Sequence, residues 1–282
     1  MINKMFKLTL SIALLLSLSG CELLLFDPKG PIAQEQMELI ILSFLVMMIV
    51  VVPVIFMTFW FAIKYRDGNE NAEYKPNWEH SNLIEIIVWS VPLIIIIILG
   101  VITYKTSHSL DPRQAIKSDQ ETIRIQVVSL DWKWLFIYPE QEIATVNELA
   151  LPVDVPVEFL ITSDTVMNSF FVPQLGSMIY AMAGMENQLH LIADEEGSYR
   201  GMSANYSGFG FSGMKFTAHA KSNDDFNSWI NEIKASNNVL TADAYQALTS
   251  KSKDHPIEHY SSVNPLMFNQ IIEKYTGAQN GQ

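Results

Sequence analysis

The chain has 282 residues, a net charge of −12 and a single cysteine. Charged residues make up 17% of the chain, below the roughly 25% typical of soluble domains, and the deficit lies before residue 106. One cysteine excludes an intramolecular disulfide, a CxxC redox pair and a metal site built from several thiolates. The sequence has no P-loop or GxGxxG pattern, so nothing supports a nucleotide-binding fold.

Residues 1–20 read as a bacterial export signal. Lys4 and Lys7 precede the apolar stretch Leu8–Leu18, which is too short to span a membrane. The next residues, LSGC at 18–21, resemble the bacterial lipobox, in which cleavage precedes a cysteine that is then lipidated. We therefore expect removal of residues 1–20 and lipidation of Cys21. The alternative is that Cys21 is an incidental cysteine.

Two long apolar runs predict a helical hairpin in the membrane. Residues 39–63 and 86–104 contain no Asp, Glu, Lys or Arg, and each run is long enough to cross a hydrocarbon core of about 30 Å. We expect transmembrane helices at about 38–63 and 83–104, within a membrane-anchoring segment 21–105. Because Cys21 is processed outside, the loop 64–82 is predicted to be cytoplasmic and the rest of the chain external.

The external part predicts a β-sandwich over residues 106–222, followed by a helical extension over 223–282. From Glu121 onward, apolar and polar residues alternate in short runs that are separated by Pro, Gly, Asp and Asn. After Ser222 the apolar residues recur at helical spacing. The external part has 11 Lys and Arg against 21 Asp and Glu, which argues against nucleic acid as a partner.

Three stretches carry a resemblance to a known family. They are DWKW at 131–134, VMNSFFVPQLG at 166–176 and GMSANYSGFGFSGM at 201–214. With the lipobox and the hairpin, they resemble subunit II of the haem–copper respiratory oxidases. In cytochrome c oxidases the last two stretches hold a dinuclear copper centre in a cupredoxin fold, through V-x-H-S-(W/F) and C-x-E-x-C-x3-H-x2-M. The matching positions here are Asn168, Ser203, Asn205, Ser207, Phe211 and Met214.

Only the methionine of that copper pattern survives. A bridged two-copper site needs two soft thiolates, whereas serine hydroxyls are neutral and hard, and phenylalanine has no lone pair. We therefore expect no metal and no cofactor in this chain. Loss of the ligands at unchanged spacing resembles the quinol-oxidising branch of the family, the bo-type ubiquinol oxidases, over nearly the whole mature chain.

The resemblance implies a non-catalytic subunit II of a proton-translocating ubiquinol oxidase. It places the haems, one copper and most of the quinol site in subunit I. Its implied partners are subunit I, smaller membrane subunits, the lipid bilayer and, through the complex, ubiquinol. The implied location is the bacterial inner membrane, with the C-terminal domain in the periplasm. The alternatives are a copper-bearing cytochrome c oxidase subunit and a free-standing, lipid-anchored cupredoxin-like binding or sensing protein.

Glu85 is the one residue of this chain for which the resemblance implies a part in proton transfer. It is the only charged residue in the second apolar segment, within LIEIIVWSVP at 83–92. This context resembles the family segment whose glutamate lies at the mouth of the lysine-lined proton path of subunit I. The alternative is an interfacial carboxylate near a helix N-terminus, where the helix dipole favours negative charge.

Overall fold

The computed structural model describes residues 23–69 and 76–277. Its two long helices are α1, Pro31–Lys64, and α2, Asn82–Ser109, and both are long and apolar enough to cross a membrane. Each helix is longer than its apolar run predicts. The added turns lie on the side of the β-domain, where Ala33 is buried and the Ser109 hydroxyl donates a hydrogen bond to Glu35 at 3.4 Å.

Short β-strands form the domain that follows the hairpin. Ten strands lie between the hairpin and the C-terminal extension. They are β1 Ile123–Leu130, β2 Lys133–Tyr138, β3 Ile143–Val146, β4 Glu148–Pro152, β5 Val157–Ser163, β6 Asn168–Phe171, β7 Ile179–Ala181, β8 Asn187–Leu191, β9 Gly197–Ser203 and β10 Lys215–Lys221. One sheet has the order β3-β2-β1-β5-β8, and the other has the order β4-β10-β9-β6-β7. Within these sheets β1 pairs with β5, and β4 with β10, in parallel, while the other neighbours are antiparallel.

The two sheets enclose an aromatic core. Phe170 and Phe216 stack with ring centroids 5.1 Å apart, and Trp134 meets both rings edge-on. Both faces of β2 are buried, because Trp134 and Phe136 face the opposite sheet while the alternate residues face the C-terminal extension. This two-sided burial explains why β2 has a continuous apolar run instead of alternation. The result is the predicted cupredoxin-like sandwich behind a two-helix hairpin.

The C-terminal extension contains α3 Asn223–Lys234, β11 Val239–Leu240, α4 Ala242–Leu248, β12 Glu258–Tyr260, β13 Ser262–Val263 and α5 Met267–Thr276. The elements from β11 onward cover the outer face of the first sheet, whereas the apolar face of α3 joins the core cluster of the sandwich. The extension was predicted to be helical, but β12 also pairs antiparallel with β3 and becomes the sixth strand of that sheet. This pairing satisfies the backbone groups that an edge strand would otherwise leave open.

Candidate functional site

The positions matched to copper ligands lie at one end of the sandwich. Asn168 begins β6 and Ser203 ends β9, and these strands are antiparallel neighbours with Phe170 opposite Ser203. The loop after β9 returns to β10 through a 3₁₀ turn, Phe211–Gly213. Strand pairing and this loop therefore bring the sequence-predicted positions together.

Asn168 and Ser203 form a direct side-chain pair. The Ser203 hydroxyl donates to Asn168 Oδ1 at 3.0 Å, and Asn168 Nδ2 donates to the Val166 carbonyl at 3.1 Å. Both side chains are almost completely buried. The Ser203 backbone N–H donates to the Met214 carbonyl at 3.1 Å. Neutral hydrogen bonds thus close the position that one thiolate and one imidazole hold in the copper pattern.

The remaining matched positions also carry neutral groups. Asn205 Nδ2 donates to the Met167 carbonyl at 3.2 Å. Phe211 packs edge-on against Tyr206 with ring centroids 5.6 Å apart. Within the described part of the chain, the buried hydroxyl of Ser207 has no hydrogen-bond partner. None of these groups is an anionic or soft ligand of the kind that a dinuclear copper centre needs.

Trp132 packs against the loop between β9 and β10, a role that was not predicted from the sequence. Its backbone has a positive φ of 64°, and its indole Nε1 donates to the Ser207 carbonyl at 3.0 Å. A Cβ atom on Gly210 would lie 2.2 Å from an atom of the Trp132 ring, so only glycine fits there. The closely spaced glycines 208 and 210 are the sequence signal for this close approach.

These residues do not fit a dinuclear copper centre. Among the matched positions only Met214, which is 1% exposed, keeps a side chain that ligates copper in the family pattern. Within residues 23–69 and 76–277 there is no group of three or more His, Cys, Asp or Glu side chains that could hold a metal ion. The prediction that the domain binds no copper therefore rests on the chemistry of its donor set.

Glu85 lies far from these positions. It occupies the first turn of α2, is exposed, and borders an open groove with Asn82, Trp89 and Ser90. Ser109, at the other end of the helix, lies beside the β-domain, and 24 residues at 1.5 Å each separate the two by about 36 Å. The structure therefore assigns Glu85 to the opposite end of the hairpin. Cys21 lies outside the described residues.

A buried carboxylate, Asp164, joins the extension to the sandwich. Its side chain is 1% exposed and accepts hydrogen bonds from the Tyr245 hydroxyl at 2.8 Å, the Tyr275 hydroxyl at 2.8 Å and Lys274 Nζ at 2.7 Å. Burial, followed by the charge of Asp164, raises the pKa of Tyr245 far above its usual range. The phenol therefore stays protonated and remains a donor.

A second carboxylate, Glu148, lies between two histidines. Its two oxygens meet His219 Nε2 at 3.3 Å and His259 Nε2 at 2.6 Å. The hydrogen bond with His219 is the largest cause that lowers the pKa of Glu148 to about 2. Since His259 belongs to β12 and His219 to β10, this cluster ties the extension to both sheets.

Lys133 makes a third junction from inside the protein. It is 1% exposed, and its Nζ donates to the carbonyls of Leu248 and Ser250 at 2.7 Å each. These carbonyls lie at the C-terminal end of α4, where the helix dipole favours a cation. Burial lowers the pKa of Lys133 from its usual value. The junction orients α4 on the outer face of the first sheet.

Comparison with known proteins identifies two family segments. The description "Cytochrome C oxidase subunit II, periplasmic domain" matches residues 117–220, and "COX Aromatic Rich Motif" matches residues 234–279. The second segment includes Tyr245, Tyr260 and Tyr275 of the extension. The periplasmic domain of a cytochrome oxidase subunit II from Bradyrhizobium japonicum has 21% identity and a TM-score of 0.40, covering 42% of this chain and 96% of its own.

Full-length relatives extend the match to the hairpin. Cytochrome bo(3) ubiquinol oxidase subunit 2 of Pseudomonas aeruginosa is 56% identical, over 94% of this chain and 80% of the relative. Ubiquinol oxidase subunit 2 of Acetobacter aceti is 55% identical, over 94% of this chain and 86% of the relative. These relatives do not support a free-standing binding or sensing protein. The chain belongs to the subunit 2 family of the ubiquinol oxidases.

Proposed function

We propose that this chain is the non-catalytic second subunit of a proton-translocating ubiquinol oxidase in the aerobic respiratory chain. Ubiquinol is oxidised and oxygen is reduced to water in subunit I, which holds the haems and one copper. The observation that carries the proposal is the buried Asn168–Ser203 hydrogen bond, which occupies two matched ligand positions with neutral groups. The names of the full-length relatives support the same activity for the complex.

Copper analysis of the purified oxidase tests this proposal. All copper in the complex should belong to subunit I, so the metal content should equal one copper per complex. Two further coppers per complex, removed together with this chain, would contradict the argument from the donor set. The matched control is the subunit I preparation after dissociation of this chain, which should keep its copper and its haems.

The membrane region has two parts in this proposal. The hairpin α1–α2 packs against helices of subunit I and of the smaller membrane subunits, because its apolar surfaces are exposed in the isolated chain. Cys21 carries the lipid anchor on the periplasmic side of the inner membrane. Mass spectrometry of the mature N-terminus should show a diacylated or triacylated Cys21, and an unmodified N-terminus at another residue would refute the anchor.

Glu85 collects protons at the cytoplasmic end of α2. Protons for oxygen reduction enter from that side, and ionisable residues in membrane segments are often functional. Its exposed carboxylate, beside the polar groups of Asn82 and Ser90, can take protons from bulk water. It then passes them to a path that leads into subunit I.

Turnover of the assembled oxidase tests the role of Glu85. Glu85→Gln should slow turnover while haem content and assembly stay normal, and Glu85→Asp should keep more activity. The loss should grow with pH between about pH 6 and pH 9, because a proton-collecting group matters most where protons are scarce. Glu79→Gln is the matched control, since Glu79 is an exposed carboxylate in the preceding loop. Unchanged turnover of Glu85→Gln over this range would make Glu85 an interfacial carboxylate only.

A further inference from the structure

The segment before α1 exposes apolar side chains to solvent. Residues 23–26, which include a 3₁₀ turn over Leu24–Phe26, are called the N-terminal apolar turn below. Leu23 is 63% exposed, Leu25 44% and Phe26 46%. Three large apolar side chains in four consecutive residues therefore lie outside the core, where they can contact another apolar surface.

The chain that follows this turn is fixed to the sandwich. The Lys29 backbone N–H donates to the Gln174 carbonyl at 2.7 Å, and the Asp194 N–H donates to the Lys29 carbonyl at 2.9 Å. Lys29 Nζ also pairs with Glu195 at 2.8 Å. Gly30 is buried, and a Cβ atom there would lie 2.3 Å from a backbone oxygen of the sandwich. The N-terminal apolar turn is therefore joined to the sandwich through a short segment that is fixed in place.

The position of Cys21 limits where the N-terminal apolar turn can lie. Two peptide units join Cys21 to Leu23, so their Cα atoms are at most about 7 Å apart. An acylated cysteine stays at the membrane surface, because its chains are buried among the lipids. Leu23 and the turn that it begins are thus held at the outer lipid–water interface, a step that rests on the lipidation in the proposed function.

We infer that the N-terminal apolar turn binds the lipid surface of the outer leaflet beside acylated Cys21 and so ties the sandwich itself to the membrane. Two spans already retain the chain far more strongly than an acyl chain can, so retention does not need the anchor. Residues 106–282 carry 11 Lys and Arg against 21 Asp and Glu, and an anionic membrane surface repels such a domain. Contact between the N-terminal apolar turn and the lipids opposes this repulsion, and the hydrogen bonds of Lys29 pass the attachment on to the sandwich.

A spin label in the full-length chain tests the inference. In Phe26→Cys the new thiol is the only one free for labelling, since the single native cysteine is acylated. The labelled chain is placed in phosphatidylcholine–phosphatidylglycerol vesicles, and its collisions with oxygen and with a water-soluble nickel chelate are compared. Oxygen concentrates in lipid, so the label at Phe26 should lose nickel collisions and gain oxygen collisions. Asp243→Cys, at an exposed polar position of α4, is the matched control and should favour nickel.

Mass spectrometry of the same sample separates this inference from the lipidation on which it rests. If Cys21 is acylated and the label at Phe26 meets nickel as often as the control does, the lipid contact is refuted while the anchor stands. A label sheltered from both reagents in the assembled oxidase means that protein covers the turn, which also overturns the inference. An unacylated Cys21 removes the anchor and the inference together.

Discussion

Replacing Asp164 should release the end of the C-terminal extension from the sandwich. The carboxylate is 1% exposed and receives donors from Tyr245, Tyr275 and Lys274. Asp164→Ala leaves two partly buried phenols and an ammonium group without their common acceptor. Asp164→Asn keeps the shape of the side chain, but it loses the charge and turns an NH₂ group towards donors.

The size of the effect follows from the three donors. Hydrogen bonds to a charged group contribute about 1.5–3 kcal/mol each, but Lys274 is 57% exposed, so water replaces much of its contribution. The two phenol hydrogen bonds to the Asp164 carboxylate, one from Tyr245 on α4 and one from Tyr275 on α5, therefore supply most of the effect. We expect Asp164→Ala to lower the free energy that holds α4 and α5 in place by about 3–5 kcal/mol. Asp164→Asn should cost less, because its carbonyl still accepts one phenol.

Amide hydrogen exchange of the full-length chain, read by mass spectrometry, measures this change. Each 1.4 kcal/mol is a factor of ten, so peptides from α5 should exchange roughly a hundred to several thousand times faster in Asp164→Ala. Peptides from β1 and β2 should keep their wild-type rates. Asp119→Asn, at an exposed position, is the control. Wild-type exchange of α5 in Asp164→Ala would refute the assignment of Asp164 as the junction.

Three further predictions concern the sandwich. Gly210→Ala should push the Trp132 ring out of the loop, because the new Cβ would lie 2.2 Å from a ring atom; a red shift in tryptophan emission reports it, and unchanged emission contradicts it. Glu148→Gln should lower the free energy of unfolding most above about pH 4.5, and the difference from wild type should vanish as pH falls through about 2. The reason is that the folded protein stabilises only the ionised carboxylate of Glu148, as its lowered pKa shows. Urea unfolding at a series of pH values measures this difference, and a difference that stays constant with pH refutes it. Residues 106–282 should fold without metal, and atomic absorption should find no stoichiometric copper; a ratio near two coppers per domain contradicts the donor-set argument.

Sequence patterns over a few neighbouring residues predicted the strands and helices whose residues follow a regular period. Alternation around Ile123 and Ile125 predicted β1, and two uncharged runs predicted the hairpin. Helix α1 begins earlier than its run because its first turn packs on the sandwich core at Ile32. The short strand β12 was not predicted, because its three residues carry no periodic signal and pair with β3 more than 100 residues earlier. Asp164 was missed for the same reason, since its partner Tyr275 is 111 residues away.

The sequence predicted which positions match the copper ligands, but not the hydrogen bonds and ring contacts that their side chains make. Spacing in the sequence places Asn168 opposite the loop once β6 and β9 pair, and their residue types exclude a thiolate site. Sequence patterns gave no reason to expect Trp132 at a positive φ. Such a backbone conformation is unusual for a large aromatic residue. It follows from the tight turn between β1 and β2, because Asp131 and Trp132 alone connect the paired residues Leu130 and Lys133.

The run DWKW at 131–134 connects the loop at the matched ligand positions, the extension and the core. Trp132 supports the loop at the matched ligand positions, and Lys133 holds the end of α4 from within. Trp134 packs edge-on against both Phe170 and Phe216 in the core. These three contacts come from one turn and the start of one strand. The loop should therefore lose its order when Trp132 is removed, whereas chelators should leave it unchanged.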